Sequence, residues 1–308
     1  MYDTPFEAMD GMIYNANDAI MRMTLMGGQA RVIMCRTTRM TQAAQDTHLA
    51  SDAAAAAFGR ILPATAMLST DLKTPNSSVT VTFNGNGPAG KIICVGHGDT
   101  LKITADNPQA EVPPLKNGAQ DVPAYIGSEG TLTVIKDIGT GDPYVGVSKL
   151  KSGGVGEDFA LYYTVSEQVP SIVALGCLNA NGTVLSSGGI LVQALPGADE
   201  TTLKMLEDRI PFYSNISREI YDMSMQVLAE NWFKNMDLKI LSYEELKFAC
   251  DCSREKMRNA LIAAGRAELE DMIQENKDVE MTCWFCRTKH SFPVDEIKNM
   301  LKEADTSL

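Results

Sequence analysis

The chain has 308 residues, of which 44% are apolar and 21% are charged, a composition typical of a globular protein. Its net charge of −12, from 39 acidic and 27 basic side chains, disfavours binding to a phosphate backbone. We find no secretory signal and no apolar stretch of the roughly 20 residues that a membrane span needs, so we predict a cytoplasmic protein that binds neither nucleic acid nor membrane.

Residues 1–198 predict an α+β core domain, mostly antiparallel β with packed helices. Helical patterns cover Ala53–Leu68, which we interpret as a buried helix, and the region around Glu157–Gln168. Strand patterns are alternating or β-branched runs separated by Gly, Asn and Asp turns. The strand segments are QARVIMCRTT, SSVTVTFNG, GKIICVG, DTLKIT, GTLTVIKD, PYVGVSKL, SIVALGC and TVLSSGGILVQAL.

One motif in this domain imitates a nucleotide-binding loop. The segment GNGPAG, Gly85 to Gly90, fits the dinucleotide pattern G-x-G-x-x-G and follows a predicted strand. That chemistry requires a helix to begin at the glycines, so that its first N–H groups meet the pyrophosphate. Here the strand-like KIICVG follows, and we therefore predict a hairpin turn.

Residues 199–236 predict an amphipathic helical linker. Its apolar residues have helical spacing on one face: Leu203, Leu206, Ile210, Ile216, Ile220, Met223 and Val227. Pro211 interrupts the helix, and Ser214, Asn215 and Ser217 are weak helix formers. We interpret the segment either as a helical hairpin that covers the core or as a metastable linker that can leave it.

Residues 237–308 predict a small zinc-binding domain. Cys250-x-Cys252 and Cys283-x-x-Cys286 form two closely spaced pairs, which suit the four tetrahedral thiolate ligands of zinc. A thioredoxin-like interpretation of CWFC fails, because no βαβ pattern surrounds it and the other pair stays unexplained. With 11 basic and 15 acidic side chains, a net of −4, this domain also does not resemble a nucleic-acid-binding zinc ribbon.

The residues between the two cysteine pairs predict two short helices with a break at Gly265, and a last helix is predicted to start at Pro293. Cys252 lies at the start of the first helix. The helix dipole and the nearby Arg254, Lys256 and Arg258 are expected to favour its thiolate form. So small a domain is expected to need its metal for stability.

The sequence resembles a known family, the redox-regulated chaperonins of about 33 kDa, which are bacterial heat-shock holdases. The resemblance rests on the following segments: CDCSREKMRNAL, MTCWFC, GRILPATAMLSTDLK, GNGPAGKI, SEQVPSIVALG and GGILVQALPGA. It covers nearly the whole chain. It implies an ATP-independent stress-response chaperone, not an enzyme, with an α+β core, a helical linker and a carboxyl-terminal redox switch.

The resemblance also implies roles for the cysteines and for partners. Cys250, Cys252, Cys283 and Cys286 would bind one Zn²⁺ per chain in the reduced, inactive form. In the oxidised form, the disulfides would be Cys250–Cys252 and Cys283–Cys286. Oxidation with unfolding stress would expose apolar surface for unfolded or oxidatively damaged client proteins and would promote a homodimer.

His290 is a departure from the family, which usually has an aromatic residue four places after the last cysteine. Its spacing would allow it to compete as a nitrogen ligand. Because four thiolates already fill a tetrahedral site, we interpret it as a partly exposed histidine on a strand. The departure affects how the switch is tuned.

Two rival functions stay open at the level of sequence. One is a constitutive zinc-stabilised adaptor, whose binding would ignore oxidants, and the other is a thiol oxidoreductase that turns over through CWFC. Neither His48 nor His97 belongs to a nucleophile motif. Cys35, Cys94 and Cys177 lie in strand-like runs and are interpreted as inert small hydrophobic residues.

Overall fold

The structure is a computed structural model that describes residues 17–72, 74 and 76–306. The chain divides into two compact units, Met1–Phe248 and Ala249–Leu308. The strands of the first unit are β1 (Ala19–Leu25), β2 (Ala30–Arg36), β3 (Ser78–Gly85), β4 (Lys91–His97), β5 (Thr100–Ala105), β6 (Gly130–Asp137), β7 (Tyr144–Lys149), β8 (Ser171–Ala180), β9 (Thr183–Ala194), β10 (Lys239–Glu245) and β11 (Lys247–Phe248). Its α-helices are α1 (Thr38–His48), α2 (Asp52–Ser69), α3 (Val122–Ile126), α4 (Gly156–Val165), α5 (Glu200–Glu207), α6 (Ile216–Asp222) and α7 (Met225–Trp232).

The strands of the first unit form two sheets. The five-stranded sheet has the order β10-β1-β2-β9-β8, and the six-stranded sheet has the order β11-β5-β4-β3-β6-β7. All neighbouring strands are antiparallel except β11 and β5, which are parallel. The predicted α+β class with mostly antiparallel strands is therefore confirmed. The GNGPAG segment forms the turn between the antiparallel β3 and β4, as predicted.

Helix α2 lies in the core between the two sheets, and the predicted buried helix is confirmed. Ser51 caps its amino end by accepting the Ala54 N–H at 3.2 Å. Pro63 lies inside the helix and cannot donate the usual bond to the carbonyl of Gly59. The Ser187 hydroxyl donates to that carbonyl instead, at 2.8 Å, and so ties the helix to β9.

The other face of the five-stranded sheet is covered by α5, α6, α7 and a 3₁₀ turn at Ile210–Asn215. The sheet contributes many methionines to this contact, among them Met21, Met23 and Met34. The side chains that the helical segment buries there are Leu206, Tyr213, Ile216, Ile220, Met225, Leu228, Ala229, Trp232, Phe233 and Met236.

The predicted apolar face of this segment is correct only in part. Leu203, Ile210 and Val227 are exposed, each by 40% or more of its surface. The reason is that the segment is not one continuous helix. Ser224 caps a new helix, α7, by accepting the Val227 N–H at 3.3 Å, so the spacing that relates Ile220 to Val227 does not hold across the break.

The second unit contains α8 (Arg254–Ala264), α9 (Arg266–Gln274), β12 (Val279–Thr282), β13 (Lys289–Phe292) and α10 (Val294–Thr306). Strands β12 and β13 form an antiparallel hairpin. Gly265, with a φ of +100°, separates α8 from α9, which confirms the predicted break. The described part of this unit has a core of only five buried apolar side chains: Leu261, Leu269, Phe292, Ile297 and Met300.

The boundary predicted at residue 237 differs from the division in the structure. β10 pairs with β1 along its whole length, so it belongs to the first unit, and the second unit begins at Ala249. Most β10 side chains are exposed, because the strand joins the sheet edge mainly through its backbone. Its sequence therefore lacks the apolar pattern of a core strand.

Candidate metal centre

The four cysteines of the two pairs come together in the second unit. Cys250 and Cys252 lie in the loop between β11 and α8, and Cys283 and Cys286 lie in the loop between β12 and β13. Their sulfur atoms all lie within 4.8 Å of one another. Cys283 is buried and the other three are half-buried. The described residues contain no other cluster of this kind.

The β12–β13 hairpin positions one pair. The last paired residues of the two strands are Thr282 and Lys289. The Cys283 N–H donates to the Thr288 carbonyl at 2.9 Å, and the Arg287 N–H donates to the Cys283 carbonyl at 2.9 Å. Arg287 adopts a left-handed φ of +60° that closes the turn. The chain thus folds back within five residues and brings Cys283 and Cys286 together.

The start of α8 positions the other pair. Ser253, directly after Cys252, caps the helix by accepting the Lys256 N–H at 3.1 Å. The Arg254 guanidinium lies over the Phe292 ring, 4.6 Å from its centroid, and bonds to Glu296 at 2.5 Å. These contacts anchor the first turn of α8 to β13 and α10.

The cations expected to favour a thiolate at Cys252 have other partners in the structure. The nearby cations are paired with carboxylates: Arg254 with Glu296, Lys256 with Asp251, and Arg258 with Glu303. Burial and hydrogen bonds with neighbouring thiols raise the pKa of Cys252, and burial likewise raises that of Cys250. Lys256 still interacts electrostatically with Cys252, but burial and the neighbouring thiols outweigh this interaction in the pKa of Cys252.

Cys286 differs from Cys250 and Cys252 in that its thiol pKa is lowered. Burial acts to raise its pKa, but hydrogen bonds with the side chain and backbone of Thr288 and with the thiols of Cys252 and Cys283 together outweigh burial and lower the pKa to about 7. The Thr288 hydroxyl oxygen lies 3.2 Å from the Cys286 sulfur. The sequence analysis missed Thr288, although a hydroxyl side chain two residues after a cysteine in a turn can be recognised in the sequence as a possible hydrogen-bond partner of the thiol.

His290 lies beside the cluster. It is on β13, as predicted, and half-buried, and its Nε2 is 3.9 Å from the Cys252 sulfur. The group of donor atoms that lie mutually within 4.8 Å comprises the four cysteines and not His290. Four thiols at this separation form a soft donor set that is able to bind a metal ion.

The remaining cysteines and histidines lie in the first unit. Burial raises the pKa of Cys94 and Cys177 to about 12 and raises that of Cys35 as well, which fits their interpretation as inert core residues. His48 Nε2 lies 2.9 Å from the Ile103 carbonyl, and His97 Nδ1 lies 2.6 Å from the Ser77 carbonyl. Both histidines are therefore satisfied by the backbone.

Comparison with known proteins identifies the family. The family model described as Hsp33 protein matches residues 18–293. The chain belongs to the Hsp33 family. It is 38% identical to the 33 kDa chaperonin of Alkaliphilus metalliredigens over 287 residues, covering 92% of this chain and 98% of the relative. It is 37% identical to the 33 kDa chaperonin of Clostridioides difficile over 290 residues, covering 93% and 99%.

A solved Hsp33 structure has the same fold. The crystal structure of the 33 kDa chaperonin, a heat shock protein 33 homologue, from Thermotoga maritima matches with a TM-score of 0.86 and 30% identity, over 94% of this chain and 99% of that one. Hsp33 proteins are non-enzymatic holdase chaperones that act on client proteins, so the prediction that this chain is not an enzyme is confirmed by its family. No helix among the described residues is both long and apolar enough to cross a membrane.

Proposed function

We propose that this chain is a redox-regulated, ATP-independent holdase that is inactive when reduced and active once its cysteine centre is oxidised. The observation that carries the proposal is the convergence of four thiols within 4.8 Å in a chain of the Hsp33 family. The four-cysteine centre is the sensor, and the apolar face of the five-stranded sheet is the surface that it controls.

In the reduced protein, Cys250, Cys252, Cys283 and Cys286 hold one zinc ion per chain. Four thiolates in two short-spaced pairs match the ligand sets of structural zinc sites. Bound zinc supplies an apparent ~10–16 kcal/mol of folding free energy at neutral pH. The five buried apolar side chains of the second unit form too small a core to replace that contribution.

Oxidation removes the ligands. Each disulfide forms when two thiols give up two protons and two electrons, and hydrogen peroxide accepts them to become two molecules of water. Two equivalents of peroxide therefore convert the four thiols into the pairs Cys250–Cys252 and Cys283–Cys286, as the family resemblance implies. A disulfide sulfur is no longer a thiolate ligand, so the metal leaves and the second unit loses its order.

The segment 199–236, which belongs to the first unit, relays this change to the five-stranded sheet. Its helices cover the methionine-rich face of the five-stranded sheet, and each helix has eight residues or fewer. Helices this short are not stable alone in water. Loss of order in the second unit frees the segment and exposes the sheet face. Methionine side chains are flexible and adapt to many shapes, as a surface for varied clients requires.

The clients are unfolded or oxidatively damaged proteins, and the activated chain forms a homodimer in the cytoplasm. The cytoplasm fits a thiol switch, because its reducing conditions keep the four cysteines reduced until oxidant enters. The dimer is tested by light scattering of the reduced and oxidised protein in solution. An unchanged molar mass after activation would overturn this part of the proposal.

The central test compares the reduced and oxidised forms on one aggregating client. We expect the reduced protein to leave light scattering of the client unchanged, and the peroxide-treated, gently heated protein to suppress it without ATP while zinc is released. Equal suppression by both forms would instead support a constitutive adaptor. Catalytic turnover of a small disulfide substrate would support a thiol oxidoreductase.

A further inference from the structure

A row of residues across the five-stranded sheet forms a seat for α6. Gly176 of β8 lies opposite Gly188 of β9, and Gly188 lies opposite Arg36 of β2. Helix α6 lies against β8 and β9. We call Gly176, Gly188, Ser186 and Arg36 the α6 seat.

The glycines of the seat allow α6 to approach closely. A Cβ added at Gly176 would lie 2.9 Å from both the backbone nitrogen and the Cβ of Ser217. A Cβ added at Gly188 would lie 2.6 Å from Cδ1 of Ile220, and also 2.3 Å from the Cys35 carbonyl oxygen of the neighbouring strand. Side-chain carbons essentially never come this close, so the floor of the seat is shaped to the helix that occupies it.

The polar residues of the seat hold the backbone of α6. The Nη2 of Arg36, a buried side chain, donates to the Ile220 carbonyl at 2.7 Å and to the Met223 carbonyl at 2.8 Å. A cation at this position also complements the negative end of the helix dipole. The Ser186 hydroxyl donates to the Ser217 carbonyl at 2.5 Å. These three bonds are made to backbone carbonyls, so they do not depend on the side chains that the helix carries.

We infer that the α6 seat, once α6 has left it, binds short amphipathic helices of client proteins, and that α6 occupies the site in the resting protein as an internal competitor. The inference rests on the proposed function. It specifies which structural element of a client protein binds to this part of the exposed sheet face. A suitable helix carries apolar residues at positions i and i+4, as Ile216 and Ile220 do, and a small residue at i+1, as Ser217 is.

The geometry of Arg36 favours a helix end over an extended chain. A single nitrogen of Arg36 contacts carbonyls of residues 220 and 223, so the two oxygens lie within about 5.5 Å of each other. In an extended chain, residues i and i+3 are separated by roughly 10 Å. One nitrogen cannot reach both carbonyls of an extended client, and only a chain that turns there satisfies both bonds. Partly unfolded proteins retain fluctuating helices of this size.

The test uses the full-length chain with Ile220→Ala as the host, because its own α6 then competes weakly for the seat. The probe is a labelled peptide with the sequence of residues 213–225, YSNISREIYDMSM, and the control peptide carries serine in place of both isoleucines. We expect saturable binding of the first peptide by fluorescence anisotropy, and binding of the control peptide that is at least about tenfold weaker.

Two further substitutions in the host test the seat itself. Gly176→Ala should weaken peptide binding by about tenfold, since its added carbon occupies the space of the helix. Gly156→Ala is the matched control, because a Cβ there meets only the Val173 carbonyl at an ordinary 3.5 Å. Arg36→Met keeps the aliphatic stem but loses the donors and should also weaken binding. Thermal unfolding of each variant confirms that its sheet is intact.

Equal binding of the two peptides, or equal binding by the hosts with and without Gly176→Ala, would overturn the inference. Absence of peptide binding by a host that still suppresses client aggregation after oxidation would overturn it too, while leaving the proposed function in place. Conversely, peptide binding that depends on Gly176 in a protein that never suppresses aggregation would contradict the proposed function alone.

Discussion

Thr288 shows how a single residue next to the cysteines affects the chemistry of the centre. Hydrogen bonds with Thr288 and with neighbouring thiols lower the pKa of Cys286 to about 7, whereas burial raises the pKa of Cys252. The four sulfurs are therefore unequal before any metal is bound.

His290 is predicted not to be a metal ligand. His290→Ala should retain one zinc per chain, since four thiolates complete a tetrahedral site without it. Metal analysis of the purified, reduced protein measures this directly. The Cys283→Ser/Cys286→Ser double variant is the control and should lose its zinc. If His290→Ala loses zinc as well, the histidine is a ligand.

Asp18 is predicted to make stability depend on pH. Its carboxylate is buried and accepts the backbone N–H groups of Arg39 and Met40 at 3.0 and 2.6 Å. Burial nevertheless raises its pKa from 3.8 to about 6. A pKa that is higher in the folded state means that the stabilising contribution is present at pH below 3.8 and is lost as the pH rises through 6.

The measurement compares urea unfolding of the natural protein with that of Asp18→Asn across this range of pH. The unfolding free energy of the natural protein, relative to the variant, should fall by about 2 kcal/mol as the pH rises from 4 to 7. A difference that does not change with pH would show that the Asp18 carboxylate titrates alike in the folded and unfolded chain.

At the scale of residues, the sequence was enough to predict the cysteines but not their surroundings. Cys-x-Cys and Cys-x-x-Cys are local patterns, and zinc chemistry accounts for them without a structure. The ion pairs of Arg254 and Arg258 involve partners that only folding brings close, Glu296 and Glu303. Arg36 gives no local signal either, because its partners lie more than 180 residues away.

The docking of α6 and α7 on the five-stranded sheet is expected to depend on their buried side chains. Ile220 is 2% exposed, whereas Val227 is 40% exposed. Ile220→Ala should destabilise docking by about 2–5 kcal/mol, the usual effect of such a truncation in a core, and Val227→Ala should have little effect. Hydrogen exchange across residues 216–232 in the reduced protein measures the difference.

The same substitution is expected to raise chaperone activity before oxidation. If Ile220→Ala loses protection in residues 216–232 but stays as inactive as the reduced natural protein, then the linker is not the relay. If neither variant changes protection, α6 is held by contacts other than its apolar face, such as those of Arg36.

The elements that escaped prediction did so for different reasons. Strand β1 does alternate, since Met21, Met23 and Leu25 are buried and the residues between them are not, and the sequence analysis did not use this pattern. Helix α1 buries polar side chains, among them Thr41 and Gln45, that hydrogen bond into the core and do not contribute to a hydrophobic period. Strand β10 joins the sheet edge with its side chains exposed. Strands β2 and β9 were predicted although both of their faces are buried, because their sequences are rich in apolar and β-branched residues.

The two units of the molecule are expected to differ in how much their folding depends on zinc. Removal of zinc with a chelator under reducing conditions should unfold the second unit, since the metal contribution exceeds what five buried side chains supply. The sheets of the first unit have their own extensive core and should persist.

Hydrogen exchange monitored by mass spectrometry distinguishes the two units. Protection should disappear from residues 254–306 and remain in β2, β3 and β9. Re-addition of zinc should restore protection in the second unit, which serves as the control for irreversible damage. Unchanged protection in residues 254–306 after zinc removal would show that the unit folds without metal.

The position of the two cysteine pairs along the chain has a further consequence for chain entropy. A metal bound by all four sulfurs links Cys252 to Cys283 and closes a loop that contains α8 and α9. Closing a loop of this length restrains the unfolded chain by about 3–4 kcal/mol. Disulfides within each pair would close loops of only one and two residues, which leaves the long loop open. In the proposed oxidation all four cysteines remain bonded, first to the metal and then in disulfides, but the chain between Cys252 and Cys283 is released. A reductant can reverse the oxidation by reducing two short-range disulfides, with no long cross-link to break.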